Sequence, residues 1–205
     1  MSRRSDTAAL AYAEQPPPVI AAGDMDKPRP NAGMMLEHLR FLFPKDKLNG
    51  AAEGQVEIAW SDPGKGHALT RGKLFGLHEI DEAAEWVAQV NAAGSNTYVG
   101  PGLRSPDADP NKRAKTADVI GSFVAWADAD RDVEGVRARA DELHLKPTMA
   151  VYTGSIPEER CQLYFEQGGL NTDLGNVRQQ NEWLQHTLGT DAVADGKGLV
   201  PKGFS

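Results

Sequence analysis

Val119-Ile120-Gly121-Ser122-Phe123-Val124-Ala125-Trp126-Ala127-Asp128-Ala129-Asp130 is the stretch on which the fold turns. Val119 to Trp126 is an apolar run of strand length. Residues two apart on a strand project to the same face, so Asp128 and Asp130 form a carboxylate pair at the exposed end of that strand. Downstream, Val133, Val136, Ala140 and Leu143 carry a helix, and Thr148 to Thr153 is β-rich before a turn at Gly154. A hairpin partner follows, with Cys161, Leu163 and Phe165 pointing one way and Arg160, Gln162 and Tyr164 the other. Leu174, Val177, Leu184 and Leu188 then describe a helix that runs to Gly189. The order is β-α-β-β-α. One more strand would complete a split β-α-β fold, an α+β architecture in which both helices pack on one face of an antiparallel sheet and the other face is open.

Upstream of this core the pattern is less regular. Met35, Leu39, Leu42 and Phe43 recur at helical spacing and Pro44 ends the run. Gln55 to Trp60 alternates polar and apolar, Ser61-Asp62-Pro63-Gly64 turns the chain, and His67 to Leu77 reads as the hairpin partner. Ile80, Ala83, Ala84, Val87 and Val90 mark a second helix, with Asp81 and Glu82 suited to its first turn. Ser95 to Val99 is a short strand, and Gly100 to Ala117 reads as a long loop rich in proline, aspartate and basic residues. Residues 1–31, with Pro16-Pro17-Pro18, Pro28 and Pro30 and no hydrophobic period, read as a flexible arm, so the fold is expected to start near Ala32.

Composition narrows the functional classes. The chain has 205 residues, enough for one sizeable core, and no apolar run approaches the ~20 residues of a membrane helix. With 29 acidic against 22 basic side chains the net charge is −7, which argues against coating DNA by overall positive charge and leaves room for a local basic groove. Cys161 is the single cysteine, which excludes an intramolecular disulfide and a cysteine-based metal centre and fits the cytoplasm. Arg3 and Arg4 precede only a brief apolar stretch, so no export signal is read there. The five histidines show no metal-ligand spacing.

Taken alone, Asp-x-Asp reads first as a polar turn in which one carboxylate caps the helix beginning near Val133. Its position at the end of an apolar strand supports a second reading. Hard divalent cations take oxygen ligands, usually one or two carboxylates with waters and substrate phosphates, and two such ions can clamp a phosphoryl transfer. Arg160 and Gln162 on the outward face of the hairpin suit a triphosphate, the arginine through its bidentate planar donors and the glutamine through neutral hydrogen bonds. A strand ending in Asp-x-Asp also occurs in nucleotide-sugar glycosyltransferases, which would require a parallel α/β half upstream. The chain carries no Gly-x-x-x-x-Gly-Lys-Ser/Thr.

The sequence resembles the archaeo-eukaryotic primase superfamily, and within it the RepB-like primase–polymerase domains of phage and plasmid replication proteins. Ala127-Asp128-Ala129-Asp130 matches the first motif, and Thr153-Gly154-Ser155 with Gln162-Leu163-Tyr164-Phe165 resembles the second, in which many members carry histidine where this chain has Gln162. Leu188-Gly189-Thr190-Asp191-Ala192-Val193-Ala194-Asp195 looks like the start of the third motif, after which Gly196 to Ser205 departs from it. Asn96-Thr97-Tyr98-Val99-Gly100 and Arg104 are similar to the segment before the first motif in related phage proteins.

The resemblance implies an RRM-like or ferredoxin-like catalytic core over about 118–195, with an N-terminal α/β subunit over about 32–117 forming a cleft, and a domain spanning 32–205 whose C-terminal end is expected to be incomplete. It implies metal-dependent, template-directed nucleotidyl transfer on Mg2+ or Mn2+. Asp128, Asp130 and Asp191 would be the catalytic metal ligands, with Asp195 the alternative third carboxylate, and Arg160 and Gln162 would bind nucleotide. The expected partners are a single-stranded DNA template, nucleoside triphosphates, and a helicase acting in trans or in a continuation of the chain. Template contact is expected from Arg104, Lys112, Arg113 and Lys115 and from Lys65, Arg71 and Lys73. A non-catalytic, replication-associated DNA-binding domain is the alternative.

Overall fold

Three helices begin where the sequence supplies an acceptor for N–H groups that have no partner within the helix. Asn31 Oδ1 accepts from the N–H groups of Gly33 and Met34 at 2.9 and 3.2 Å and opens α1 (Ala32–Leu42). Asp132 Oδ1 accepts from Gly135 N–H at 3.1 Å and opens α3 (Val133–Glu142). Asp173 Oδ1 accepts from Asn176 N–H at 3.0 Å and opens α4 (Leu174–Leu188). α2 (Ile80–Ala92) has no side-chain cap and instead carries Asp81 and Glu82 in its first turn, where the helix dipole favours negative charge. Pro44 follows the end of α1, and Gly189 closes α4 at φ +71°, a conformation open to glycine without strain.

The computed structural model describes residues 30–48, 53–61, 69, 71–110, 112–154 and 158–190. Within them lie seven strands: β1 (Gln55–Trp60), β2 (Arg71–Gly76), β3 (Thr97–Val99), β4 (Gly102–Arg104), β5 (Val119–Ala129), β6 (Met149–Gly154) and β7 (Arg160–Asn171). They form one sheet in the order β2-β1-β4-β5-β7-β6, with β3 also paired to β1, and every described pairing is antiparallel. The fold is therefore mixed α and β on an antiparallel sheet. β7 lies between β5 and β6, its hairpin partner, and α3 links β5 to β6.

β5 is buried along almost its whole length because both of its faces are covered, which is why it reads as a near-continuous apolar run. Ala125, Ala127 and Ala129, with Cys161 and Leu163 of β7, pack beneath α3 and α4 against Val133, Val136, Ala140, Leu184 and Leu188. Val124, Trp126 and Tyr164 belong to the other cluster, which gathers Leu39 and Leu42 of α1, Ile80, Ala83, Ala84 and Val87 of α2, and Val56 and Ile58 of β1. Small alanines on one face of β5 let α3 and α4 approach the sheet closely. At the start of the strand Gly121 leaves room for β7, since a Cβ there would lie 2.8 Å from the Asn171 carbonyl oxygen, beside the register shift between Ser122 and Val124.

Two expectations change. The sheet face opposite α3 and α4 is not open along its length, because His38 and Phe41 of α1 pack on the ring of Tyr164 with centroids 5.4 and 6.1 Å away. The segment 100–117 is not a plain loop, since it contains β4, whose Leu103 is fully buried, and a 3-10 turn at Thr116–Asp118. Three residues are too few to show a period, so β4 is made by its neighbours and not by its own pattern. β5 runs on to Ala129 and β7 to Asn171, both further than the sequence suggests. Residues 1–29 of the expected arm and Asp191 to Ser205 lie outside the described residues, and so does the turn at residues 62–64, while Asn31, placed in the arm by the sequence, instead caps α1. No described helix is long and apolar enough to cross a membrane.

Candidate functional site

The end of β5 is set by the register of its pairing with β7. Ala127 faces Leu163, Asp128 faces Gln162 and Ala129 faces Cys161. Partners across an antiparallel pair share a face, so Asp128, Gln162 and Tyr164 line one side of the sheet, with Arg160 two residues before Gln162 on the same side. Asp128 is half-buried and Asp130, just past the strand, is exposed. Three of the expected binding groups, Asp128, Arg160 and Gln162, thus meet at one strand end with Asp130 beside them. Asp191 and Asp195 lie outside the described residues.

The helix-capping alternative is settled by a neighbour. Asp132, at φ +47°, caps α3, so neither Asp128 nor Asp130 is taken up in that role. Asp128 at the strand end and Asp130 just past it are carboxylates of the kind hard cations accept when waters and phosphate oxygens complete the shell. Among the described residues no three His, Cys, Asp or Glu side chains gather into a fuller ligand group.

Tyr164 departs from its expected outward placement. It is 1% exposed, and its hydroxyl donates to Gln162 Oε1 at 2.7 Å. Burial, and then the negative charge of Asp128, pushes this hydroxyl well above the ordinary tyrosine range, so it keeps its proton. Beside it His38 has its pKa lowered to about 4 by burial, and its Nε2 is buried without a hydrogen-bond partner. Cys161 lies on the opposite face, fully buried, and burial raises its thiol pKa even though Arg137 pulls the other way. That removes it from any nucleophilic role at the strand end.

The basic residues expected to contact a template are differently disposed. Arg104 Nη2 donates to Glu57 Oε2 at 2.7 Å, and Arg113 Nε donates to Glu57 Oε1 at 3.0 Å. Arg104 is 8% exposed, and burial lowers its pKa while Glu57 opposes the shift. These two arginines therefore neutralise a buried carboxylate and do not form an exposed basic groove. Lys112 pairs with Asp109, and Lys73 sits over the rings of Phe75 and Trp86. Lys65 lies outside the described residues. A small cavity lined by Glu57, Tyr98, Arg104 and Arg113 adjoins β4, which pairs with the start of β5, and is lined by none of Asp128, Asp130, Arg160 and Gln162.

Sequence reasoning missed the roles of Glu57, His38 and Tyr164. Glu57 did carry a signal, a lone charge inside Val56-Glu57-Ile58-Ala59, where a buried carboxylate needs a cation. Gln162 and Tyr164 were two apart on a strand, which already placed their side chains together. Nothing in the local pattern of α1 announced that His38 would pack on Tyr164. Set against models of protein families, curated proteins and solved structures, the chain matches none.

Proposed function

We propose that this chain is a primase–polymerase domain of the kind found in phage and plasmid replication proteins, joining nucleotides on a single-stranded DNA template. The observation that carries the reading is the β5–β7 register, which sets Asp128 against Gln162 with Arg160 on the same side. It is supported by the resemblance of the Asp128-Ala129-Asp130 strand end and of the hairpin to two motifs of that superfamily. In this reading β5, α3, β6, β7 and α4 are the split β-α-β core, and the N-terminal half forms the other wall of a cleft.

The chemistry is displacement at phosphorus. A primer 3′-hydroxyl attacks the α-phosphorus of a nucleoside triphosphate, a phosphodiester bond forms, the bond to the β-phosphate bridge breaks, and pyrophosphate leaves. Asp128 and Asp130 would hold Mg2+ or Mn2+, with Asp191 or Asp195 as the third carboxylate, and a cation bound there would supply positive charge toward phosphate oxygens. Arg160 binds non-bridging oxygens of the triphosphate through its fixed fork of donors, and Gln162 adds a neutral donor beside it. A helicase, in trans or in a continuation of the chain, would supply the template. The glycosyltransferase reading needs parallel strands upstream, whereas β1 to β4 are joined only by antiparallel pairings among the described residues.

The test is incorporation of labelled nucleotides on a single-stranded template with Mg2+ or Mn2+. Wild-type protein is expected to make short products, and Asp128→Ala with Asp130→Ala is expected to abolish them. Equal product from the double variant refutes the metal site. A silent wild type that still retards single-stranded DNA makes the chain a binding domain without catalysis.

A further inference from the structure

Gln162 ends in an amide whose two orientations fill almost the same space and present opposite chemistry, a carbonyl acceptor or an NH2 donor. A triphosphate offers only acceptors, so one orientation attracts it and the other repels it. The amide is not left to choose, because its Oε1 receives the Tyr164 hydroxyl at 2.7 Å. We propose that Tyr164 is a positioning residue that holds the Gln162 carbonyl inward, so that the amide NH2 is presented on the sheet face shared with Asp128 and Arg160 as a donor for phosphate oxygens. This rests on the nucleotide-binding reading of that face.

Tyr164 is anchored well enough to do this. Its ring is fully buried, with His38 and Phe41 of α1 packed on it and Met149 of β6 beside it across the strand pair. A buried hydroxyl is costly unless it is hydrogen-bonded, and Gln162 Oε1 supplies its acceptor. The proton stays on Tyr164, because burial disfavours the charged tyrosinate. His38 is uncharged at neutral pH and adds no cation that would favour tyrosinate. With its proton kept, the buried hydroxyl needs an acceptor, and it donates to the Gln162 amide oxygen. A phenylalanine at this position would keep the packing and release the amide to turn.

The experiment compares the full chain carrying Tyr164→Phe, Gln162→Ala, Gln162→Glu and the double variant Tyr164→Phe with Gln162→Ala. GTP with Mg2+ is the nucleotide. Tyr164→Phe is expected to raise KM for nucleotide about tenfold with kcat changed less than twofold, the size expected when one hydrogen bond stops holding a ligand-binding group. Gln162→Glu keeps the acceptor for Tyr164 but loses the donors and adds a negative charge facing the triphosphate, and is expected to raise KM at least as much as Gln162→Ala. In the Gln162→Ala background, removing the hydroxyl should cost nothing more. If Tyr164→Phe costs as much there as in the wild type, its role is structural and the proposal falls. A second readout needs no turnover. The 15N-labelled side-chain amide of Gln162 should give one slowly exchanging NH2 pair in the wild type that shifts on adding GTP with Mg2+, and should exchange faster in Tyr164→Phe. An amide that exchanges equally in both proteins overturns the lock, and one that is locked yet unmoved by nucleotide overturns the donor role. Failure of the functional reading looks different, with no incorporation by any variant and no shift at Gln162 or at Arg160.

Discussion

Gln162 and Tyr164 stand two residues apart on one face of β7, yet one is half-buried at the strand end and the other is sealed beneath α1. Strand parity puts them on the same side; only a helix more than 120 residues earlier in the chain separates their surroundings. His38, from that helix, has a consequence that can be measured. Its folded pKa is about 4 against an ordinary 6.5, because burial disfavours the imidazolium. Above pH 6.5 neither folded nor unfolded chain protonates it, and its full contribution to stability is present. As pH falls from 6.5 to 4 the unfolded chain takes up a proton that the folded chain refuses, so stability falls. For this half-buried side chain the loss is on the order of 2 kcal/mol. Urea unfolding of the wild type and of His38→Phe at pH 7.5 and pH 4.5 should show the wild type losing that much more than the variant. Parallel losses would mean that His38 protonates as readily folded as unfolded. Glu57 teaches the companion lesson, since its place within an apolar strand signalled a buried charge but could not say that Arg104 and Arg113 would be its partners.

β5 shows what an element needs from its neighbours. On one edge it pairs with β7 from Ser122 to Ala129, while on the other β4 accompanies it only as far as Ser122. Beyond that point the Trp126 N–H donates to Asn181 Oδ1 of α4 at 2.9 Å, a buried bond in which a side chain does the work of a missing strand. Removing a buried acceptor costs the desolvation of the donor left behind. Asn181→Ala is therefore expected to destabilise the protein by about 2 kcal/mol, and to speed hydrogen exchange at the Trp126 amide more than at its neighbours. A variant as stable as the wild type would show that the edge satisfies itself. The helices were the most legible elements, because buried positions spaced three and four apart are a local signal, although the cap of α3 is Asp132 and neither of the aspartates the sequence suggested. β4 was the least legible, since Leu103 is buried by the strands on either side and not by any pattern of its own.

At the scale of the whole molecule the two clusters share their central strands. Val124, Trp126 and Tyr164 face one cluster, and Ala125, Ala127 and Leu163 the other, so neither half can lose β5 or β7 without exposing both. The folded chain should open as one unit. Native-state hydrogen exchange is expected to give the amides of Ile58 in β1 and Leu163 in β7 the same opening free energy to within about 1 kcal/mol, and a gap of several would mean that the halves unfold separately. The sequence alone determined the element order from α1 to α4 apart from β4, and the apolar faces of the helices, because periods of 3.6 and 2 are written in neighbouring residues. The tertiary structure alone decided that Asp128 would face Gln162, that α1 would cover Tyr164, and that Arg104 and Arg113 would serve Glu57. Those outcomes depend on register and on contacts between residues far apart in the chain, and a local pattern cannot carry either.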